Sequence, residues 1–533
     1  MRFIPVVNDD YKKYMSNTDF LKDVEHYQDY FNDPERPELA NQKRDKTNPK
    51  IIRQKLIQFD IDLLFEDTEY VQPKENKGKK IEELRVAVFN QLAMKDRAEA
   101  SELIVKYIKK HEYIYTTRDD IKSEMWIYQG GIYIPNGETC IKEFVREILQ
   151  SFFTTHLASL VIEKIKEDTR IDHDEFYYTN YLWEVPVENG ILNLKTRKLS
   201  EFDPTKIFFN KLPIIYDVDA TCDYVEKHFK AVLKSEEDVP AMYELFGYLL
   251  FKEYRIERAV MFVGKGRNGK GKTLELMKRF VGSTNCSNLP LAALKYDNTG
   301  LSQLFGKMAN ICGDLGKTAL KDTGTFKEAT GRDTIQSKRK YLNDLNFVNY
   351  AKMIFSANSL PIVYDASDGF WDRWLLFEFP YKFMTQEQID LLPEKEKENK
   401  KVKDTTIIDK LSQPEELSGL LNKALNGLDD LLKNSNFSST KGTEEIKMFW
   451  IRQSDSFMSF CLDCVQEDYD CQISKKQLRK RYQQYCKEHK IKGVSDRSIQ
   501  ITLQNEFGAT DTRKYINQES VNVWEGIKFK SDL

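Results

Sequence analysis

The residues best placed to do chemistry form one run: Gly264, Lys265, Gly266, Arg267, Asn268, Gly269, Lys270, Gly271, Lys272 and Thr273. Glycines spaced this way let backbone N–H groups converge on phosphate oxygens, and lysines add point charges beside them. The GxxxxGK[ST] pattern fits in two registers. Starting at Gly264, it makes Lys270 the lysine on the β- and γ-phosphates but puts Gly271 where a hydroxyl normally meets magnesium. Starting at Gly266, it makes Lys272 that lysine and supplies Thr273, but begins two residues later. We favour the first register, in which Thr273 or water serves the metal; the choice between Lys270 and Lys272 stays open. The same letters contain GxGxxG through Gly264, Gly266 and Gly269. A dinucleotide site also wants an acidic residue about 20 positions on, closing a second strand. The segment SNLPLAALKYDNTG does not read that way.

The flanking residues show what must hold this loop. Ala259–Val263 is an unbroken apolar run of strand length, and Leu274, Met277, Phe280 and Val281 recur at helical spacing. The loop therefore joins a buried strand to a helix N-terminus, whose dipole favours anions. A second apolar strand, Met308–Gly313, ends at Asp314, where a carboxylate is placed to bind magnesium. A third, Ala351–Ala357, ends at Asn358, an amide able to orient water or touch a γ-phosphate. Arg373 stands between Trp371 and Trp374, either as a stacked structural residue or as a finger reaching a neighbouring subunit's nucleotide. Lys327, Lys338, Arg339 and Lys340 surround a possible hairpin, with Tyr341 among them. Cations beside an aromatic suit a nucleic-acid single strand.

At 533 residues the chain has room for about three or four domains. Its net charge of −3 means that any nucleic-acid contact comes from a local basic surface. No apolar run reaches the roughly 18 residues of a membrane span, and the N-terminus is too polar for a signal peptide. The expected location is the cytoplasm, at a nucleoid or viral replication site. Eight cysteines in a chain this long do not make a disulfide framework. Cys461, Cys464, Cys486 and His489 have conceivable zinc spacing. Phe457, Phe460, Cys461, Cys464 and Val465 sit at helical spacing, so core packing is the favoured reading.

In chain order, residues 1–115 read as a mostly helical region of unknown role, with amphipathic stretches at Ile81–Met94 and Ala98–Lys110. Asp60 and Asp62 in LIQFDIDLLF would share one face of a strand and could share a metal, as in a minimal primase. Residues 116–225 read as an α+β module. It has hairpin turns at Gly130-Gly131, Asn136-Gly137 and Asn189-Gly190, and a largely helical stretch over Ile141–Lys166. Residues 226–390 hold the nucleotide motifs. Residues 391–445 open on the charged run EKEKENKKVKD and read as a linker with helices. Residues 446–533 combine a basic helix, a second helix and a strand pair, which suit a winged-helix DNA binder; Lys476, Arg479 and Arg481 are its expected contacts.

Taken in order, VPVENGILNL, PIIYDVDATC, ELFGYLL, GKGRNGKGKT, NICGDL, FKEATGRD, FSANSLP and FWDRW resemble superfamily 3 helicases, specifically the phage, plasmid and poxvirus-type primase-helicase family. The resemblance covers residues 120–385. It implies an α/β fold with an AAA+-like P-loop motor, usually a homo-hexamer, that uses ATP and Mg²⁺ to travel on single-stranded DNA at a replication fork or origin. A partner primase and a polymerase are implied with it. In that family Lys270 is the phosphate lysine, Asp314 the metal-binding acid, Asn358 the sensor and Arg373 the finger acting in trans. Lys327 starts the motif leading into the DNA-facing hairpin. Two departures stand out: Gly271 replaces the hydroxyl residue, and Gly313 leaves Asp314 without an acidic neighbour. A primase-helicase with a minimal N-terminal primase, and a non-motor ATP switch on origin DNA, are the alternatives.

Overall fold

The computed structural model describes residues 76–530 apart from 119–121, 179–180, 297–298, 316–319, 321–322, 340–343, 364–366, 440, 490 and 517–518. The chain divides into two compact units. The first takes the described residues up to Thr116 together with Asn136–Arg170; the second takes Thr117–Pro135 and everything from Ile171 onward.

In the first unit four helices, α1 (Asn76–Ala93), α2 (Arg97–His111), α3 (Gly137–Leu149) and α4 (Thr155–Asp168), turn apolar stripes inward. Leu84, Val88, Leu103, Ile104, Ile108, Val145, Ile148, Val161 and Ile165 are buried at three- and four-residue spacing. Asp96 caps α2 by accepting from the Glu99 N–H, and Thr154 caps α4 by accepting from Leu157. Two expectations change here. The stretch Ile141–Lys166 is two helices, because Gln150 sits at φ 47° and Thr154 opens a new N-terminus. Asn136-Gly137 is not a hairpin turn but the start of α3, with Asn136 left-handed at its N-cap. Since α3 and α4 join α1 and α2, the division expected between 115 and 116 is not the one the chain makes.

The second unit opens with the hairpin β1 (Met125–Gln129) and β2 (Ile132–Pro135), turned at Gly130 and Gly131, both with positive φ. A small antiparallel sheet follows from β3 (Glu184–Val187), β4 (Gly190–Asn193) and β5 (Leu199–Ser200). Two helices, α5 (Asp223–Val232) and α6 (Val239–Leu250), lead to the central layer.

That layer is a five-stranded, all-parallel sheet. Its strands are β6 (Ala259–Val263), β7 (Cys286–Ser287), β8 (Ala309–Cys312), β11 (Lys352–Ala357) and β12 (Trp374–Glu378). The spatial order is β12-β6-β11-β8-β7. Helix α7 (Lys270–Val281) follows β6. Between β8 and β11 lie α8 (Gly324–Thr330) and the antiparallel hairpin β9 (Thr334–Ser337) and β10 (Leu345–Val348). The short helix α9 (Asp368–Trp371) precedes β12.

Strand β6 is apolar throughout because both its faces are covered. Val260 and Phe262 enter one core with Phe246, Phe280 and Leu420, while Ala259, Met261 and Val263 enter another with Phe355, Trp374 and Trp450. Beyond β12 come a parallel pair, β13 (Lys382–Met384) and β14 (Lys400–Val402), then α10 (Ile407–Leu411) and α11 (Pro414–Asn434). The region expected to be a linker is therefore largely built in. Leu420, Leu421, Ala424 and Leu428 of α11 belong to the core around α6. The two helices meet backbone to backbone. A Cβ on Gly247 would collide with the Ala424 carbonyl, and one on Gly427 with the Glu244 N–H.

The C-terminal part runs α12 (Thr443–Ser454), α13 (Ser456–Cys464), β15 (Val465–Ser474), α14 (Lys475–Glu488), α15 (Asp496–Phe507), β16 (Thr510–Ile516) and β17 (Glu519–Phe529). Strands β15, β17 and β16 form one antiparallel sheet in that order. Phe457, Phe460, Cys461, Leu478, Tyr482, Leu503 and Trp524 form its core. Among the described residues no helix is long and apolar enough to cross a membrane.

Candidate functional site

Parallel strands place their C-terminal ends on one edge, the edge where open α/β sheets bind ligands. Here the register aligns Ala357 with Val263 and Cys312 with Phe355. Gly264, Asn358 and Asp314, each just past a strand end, therefore come to the same edge. The Gly264 N–H donates to the Ala357 carbonyl at 3.3 Å, and Leu315 donates to Ser356 at 3.0 Å, tying the loops together.

The loop's shape follows from its glycines. A Cβ on Gly264 would collide with the Phe379 carbonyl and the Asn268 amide, and Asn268 Nδ2 itself donates to Phe379 at 3.0 Å. Gly269 caps α7 at φ 94°, with Val232 against the position its Cβ would take. Gly266 and Gly271 face open space. Arg267 is also left-handed, at φ 63°.

Lys270 opens α7 and is only 5% exposed. Its Nζ donates to Asn358 Oδ1 at 3.1 Å and to the Gly264 carbonyl. Both partners are neutral. Burial pushes its pKa down to about 8, against the pull of the Asp314 charge. A buried ammonium satisfied only by neutral oxygens, beside a helix N-terminus and glycines that face open space, fits a polyphosphate anion. Lys272 differs: it is exposed and pairs with Glu275 at 2.9 Å along the helix. Lys265 and Gly266 are exposed on the loop.

Asp314 is exposed at the same edge, as a magnesium-binding carboxylate must be if phosphates and water complete the shell. Thr273 is not available to that metal. It is fully buried, and its hydroxyl is 3.0 Å from His228 Nε2 and donates back to Gly269. The sequence reading missed His228, a single histidine on an amphipathic helix. Burial pushes its pKa down to about 4, so it meets Thr273 as a neutral ring.

Arg373 lies at the opposite edge. Its carbonyl accepts from Ala259 at the start of β6, whereas the loop follows Val263 at the end. Five strand residues span roughly 16 Å. Its guanidinium pairs with Glu257 at 2.7 Å and also donates to Gly369, so within one chain it does not reach Lys270.

The residues assigned to DNA are dispersed. Lys327 Nζ donates to Ser367 Oγ at 2.9 Å. The β9–β10 hairpin exists, with Lys338 exposed past β9, but Arg339 turns onto Glu124 at 2.9 Å. Lys340 and Tyr341 lie outside the described residues, as do Asp60 and Asp62. On α14, Lys476 is exposed, Arg479 pairs with Asp496, and Arg481 stacks over Phe529 at 4.6 Å. Cys461 is buried in the core between α13 and α14.

Two family models match parts of the chain. One is described as D5 N terminal like and covers residues 92–235; the other is a family of unknown function, DUF5906, and covers 262–373. Among curated proteins, "Putative helicase 121R" of Invertebrate iridescent virus 3 is 25% identical over 234 residues, 41% of this chain and 24% of that protein. "Putative helicase L207/L206" of Acanthamoeba polyphaga mimivirus is 27% identical over 239 residues, again 41% and 24%. The chain thus matches about a quarter of the length of these relatives. Among solved structures, the apo C-terminal region of NrS-1 aligns at a TM-score of 0.43 and 11% identity, over 79% of this chain and 98% of that one. By sequence, then, the chain is similar over residues 92–235 to the family described as D5 N terminal like, and over about two fifths of its length to putative viral helicases.

Proposed function

We propose that this chain is an ATP-dependent replicative DNA helicase of superfamily 3, an AAA+-like ring motor that travels on single-stranded DNA at a viral, phage or plasmid fork or origin. The observation that carries this reading is the meeting of Lys270, Asn358 and Asp314 at the C-terminal edge of a parallel sheet, directly after a strand–loop–helix.

In this reading the loop from Gly264 to Lys272 wraps the phosphates, and Lys270 moves from neutral oxygens to the β- and γ-phosphates. Asn358, released by that move, holds the attacking water. Asp314 would hold Mg²⁺, which when bound neutralises charge developing on the phosphates. Arg373, remote from its own loop, serves the nucleotide of the next copy, which makes the active unit a closed ring, taken as a hexamer. The exposed hairpin lysine Lys338 and, through α8, Lys327 face the strand being moved. The C-terminal domain holds duplex DNA in a winged-helix manner. A separate primase and a polymerase work with the ring.

The test is ATP hydrolysis by the full chain with and without single-stranded DNA. Severalfold stimulation that disappears in Lys270→Ala is the expected result. Hydrolysis indifferent to the strand, with binding to duplex DNA intact, would replace the motor with an ATP switch. No hydrolysis at all would overturn the reading.

A further inference from the structure

Helix α12 stands outside the central layer but packs onto the segment that carries Arg373. Trp450 of this helix is fully buried. Its ring lies 5.0 Å from that of Trp374, 5.8 Å from Trp371 and 6.4 Å from Phe370, centroid to centroid. At the start of the same helix, Thr443 Oγ1 donates to Asp372 Oδ1 at 2.7 Å. One helix thus holds Phe370, Trp371 and Asp372 on one side of Arg373 and Trp374 on the other. The hydrogen bonds of Arg373 itself go elsewhere, to Glu257 at 2.7 Å and to the Gly369 carbonyl. Its Nε is buried and has no partner among the described residues.

We propose that α12 is the platform that presents Arg373 to the next copy of the chain, with Trp450 as the positioning residue at its centre. The proposal rests on the reading of Arg373 as a finger acting in trans. Three observations carry it. First, the indole N–H groups of Trp371 and Trp374 are buried and find no acceptor among the described residues. Packing, not hydrogen bonding, therefore sets the angle of these two rings, and aromatic pairs prefer definite angles. Trp450 supplies the fixed reference, because its own Nε1 donates to the Pro361 carbonyl at 2.8 Å. Second, Trp371 ends α9 and Trp374 opens β12, with only Asp372 and Arg373 between them. A shift of either ring must move the backbone of Arg373. Third, the platform has its own anchor. Arg452 binds both carboxylate oxygens of Asp463 on α13, at 2.7 and 2.9 Å. To reach a neighbour the Arg373 side chain has to leave Glu257. A long side chain that moves needs a backbone that does not, and α12 provides it.

The experiment is ATP turnover by full-length variants, alone and mixed before assembly in equal amounts. Alone, Trp450→Leu should lose up to about a hundredfold in kcat, the cost of a displacement of about 1 Å, with KM for ATP unchanged. Lys270→Ala lacks the phosphate lysine of its own loop but keeps a well-held arginine. Mixed with it, Trp450→Leu should turn over severalfold faster than the two variants measured apart, because its intact loops now receive the partner's arginine. Thr443→Val removes the bond to Asp372 at the half-buried end of the platform; it should lose about threefold and recover in the same mixture. A loss in Trp450→Leu that Lys270→Ala leaves unrelieved, while Arg373→Ala is relieved in the parallel mixture, would overturn the proposal. Trp450 would then act within its own chain, through Pro361 and the nearby Asn358. Unchanged turnover in Trp450→Leu would overturn it too, and Thr443→Val decides by the same two criteria if the melting curve shows that Trp450→Leu does not fold. Failure of Arg373→Ala and Lys270→Ala to restore one another would instead overturn the reading of Arg373 beneath the proposal.

Discussion

The sheet edge at the glycine-rich loop and the basic helix α14 were both conspicuous in the sequence, and they fare differently in three dimensions. At the sheet edge, residues separated by 88 positions meet, Lys270 on Asn358, because parallel strands in register must end together. On α14 the cations stay on one helix and three of them are spent locally: Arg479 on Asp496, Lys475 on Asp511, Arg481 on Phe529. A backbone arrangement delivers a site, whereas a run of like charge delivers only a surface whose members pair with whatever is near. Exposed pairs of this kind add little stability, so their main effect is to withdraw charge from a partner.

The sharpest way to break this contrast is at the loop. Lys270→Ala should reduce ATP hydrolysis to background, while Lys272→Ala, which loses only an exposed pair with Glu275, should stay within a few-fold of native. The reverse result would move the phosphate lysine to the second register. Next in size is Arg373→Ala. A finger acting on a neighbour is worth about a thousandfold in turnover. The variant should lose that while ADP affinity, measured by calorimetry, is unchanged. An equal loss of ADP affinity would make Arg373 a structural partner of Glu257 instead.

A third effect follows from the Lys270 ammonium, whose pKa burial lowers to about 8. Bound phosphate favours the charged form, so above pH 8 binding must take up a proton. ADP affinity should fall as pH rises from 8 toward 10, by up to about tenfold per pH unit. Below pH 8 this contribution is flat. Calorimetry in buffers of different ionisation enthalpy would detect the proton directly, and no uptake at pH 9 would place the anion away from Lys270. The smallest effect is on α14. Removing the exposed Lys476 and Lys480 together should reduce the salt slope of duplex binding by about two, and Arg479→Ala should change it little. Equal slopes in the two variants would mean that the paired Arg479 reaches DNA as readily as the exposed lysines.

Much of the central layer could be read from the letters. Ala259–Val263 is apolar at every position because it is buried on both faces, and that pattern needs no knowledge of its neighbours. The loop, the helix after it and the strands ending before Asp314 and Asn358 follow from similarly local rules. The helix within 391–445 was legible, but the charged run that opens this region hid how far it is built into the core, because charged residues dominate its composition. The apolar contacts it makes, through Val402, Ile407 and the inward stripe of α11, matter only once α5 and α6 stand opposite. Thr273 was misjudged for a related reason. Spacing suggested a hydroxyl free to meet a metal, but helical rotation turns it onto His228.

The set of elements and the chemistry at their ends are written locally in the chain, since propensity, burial periodicity and glycine geometry act over a few residues. Which side chains meet is settled by packing in three dimensions. It set Lys270 against Asn358, turned Arg339 onto Glu124, carried Arg373 to the far edge, and folded the stretch after β12 against the loop. Those outcomes depend on strand order and packing between segments remote in the chain, which short-range pattern does not encode.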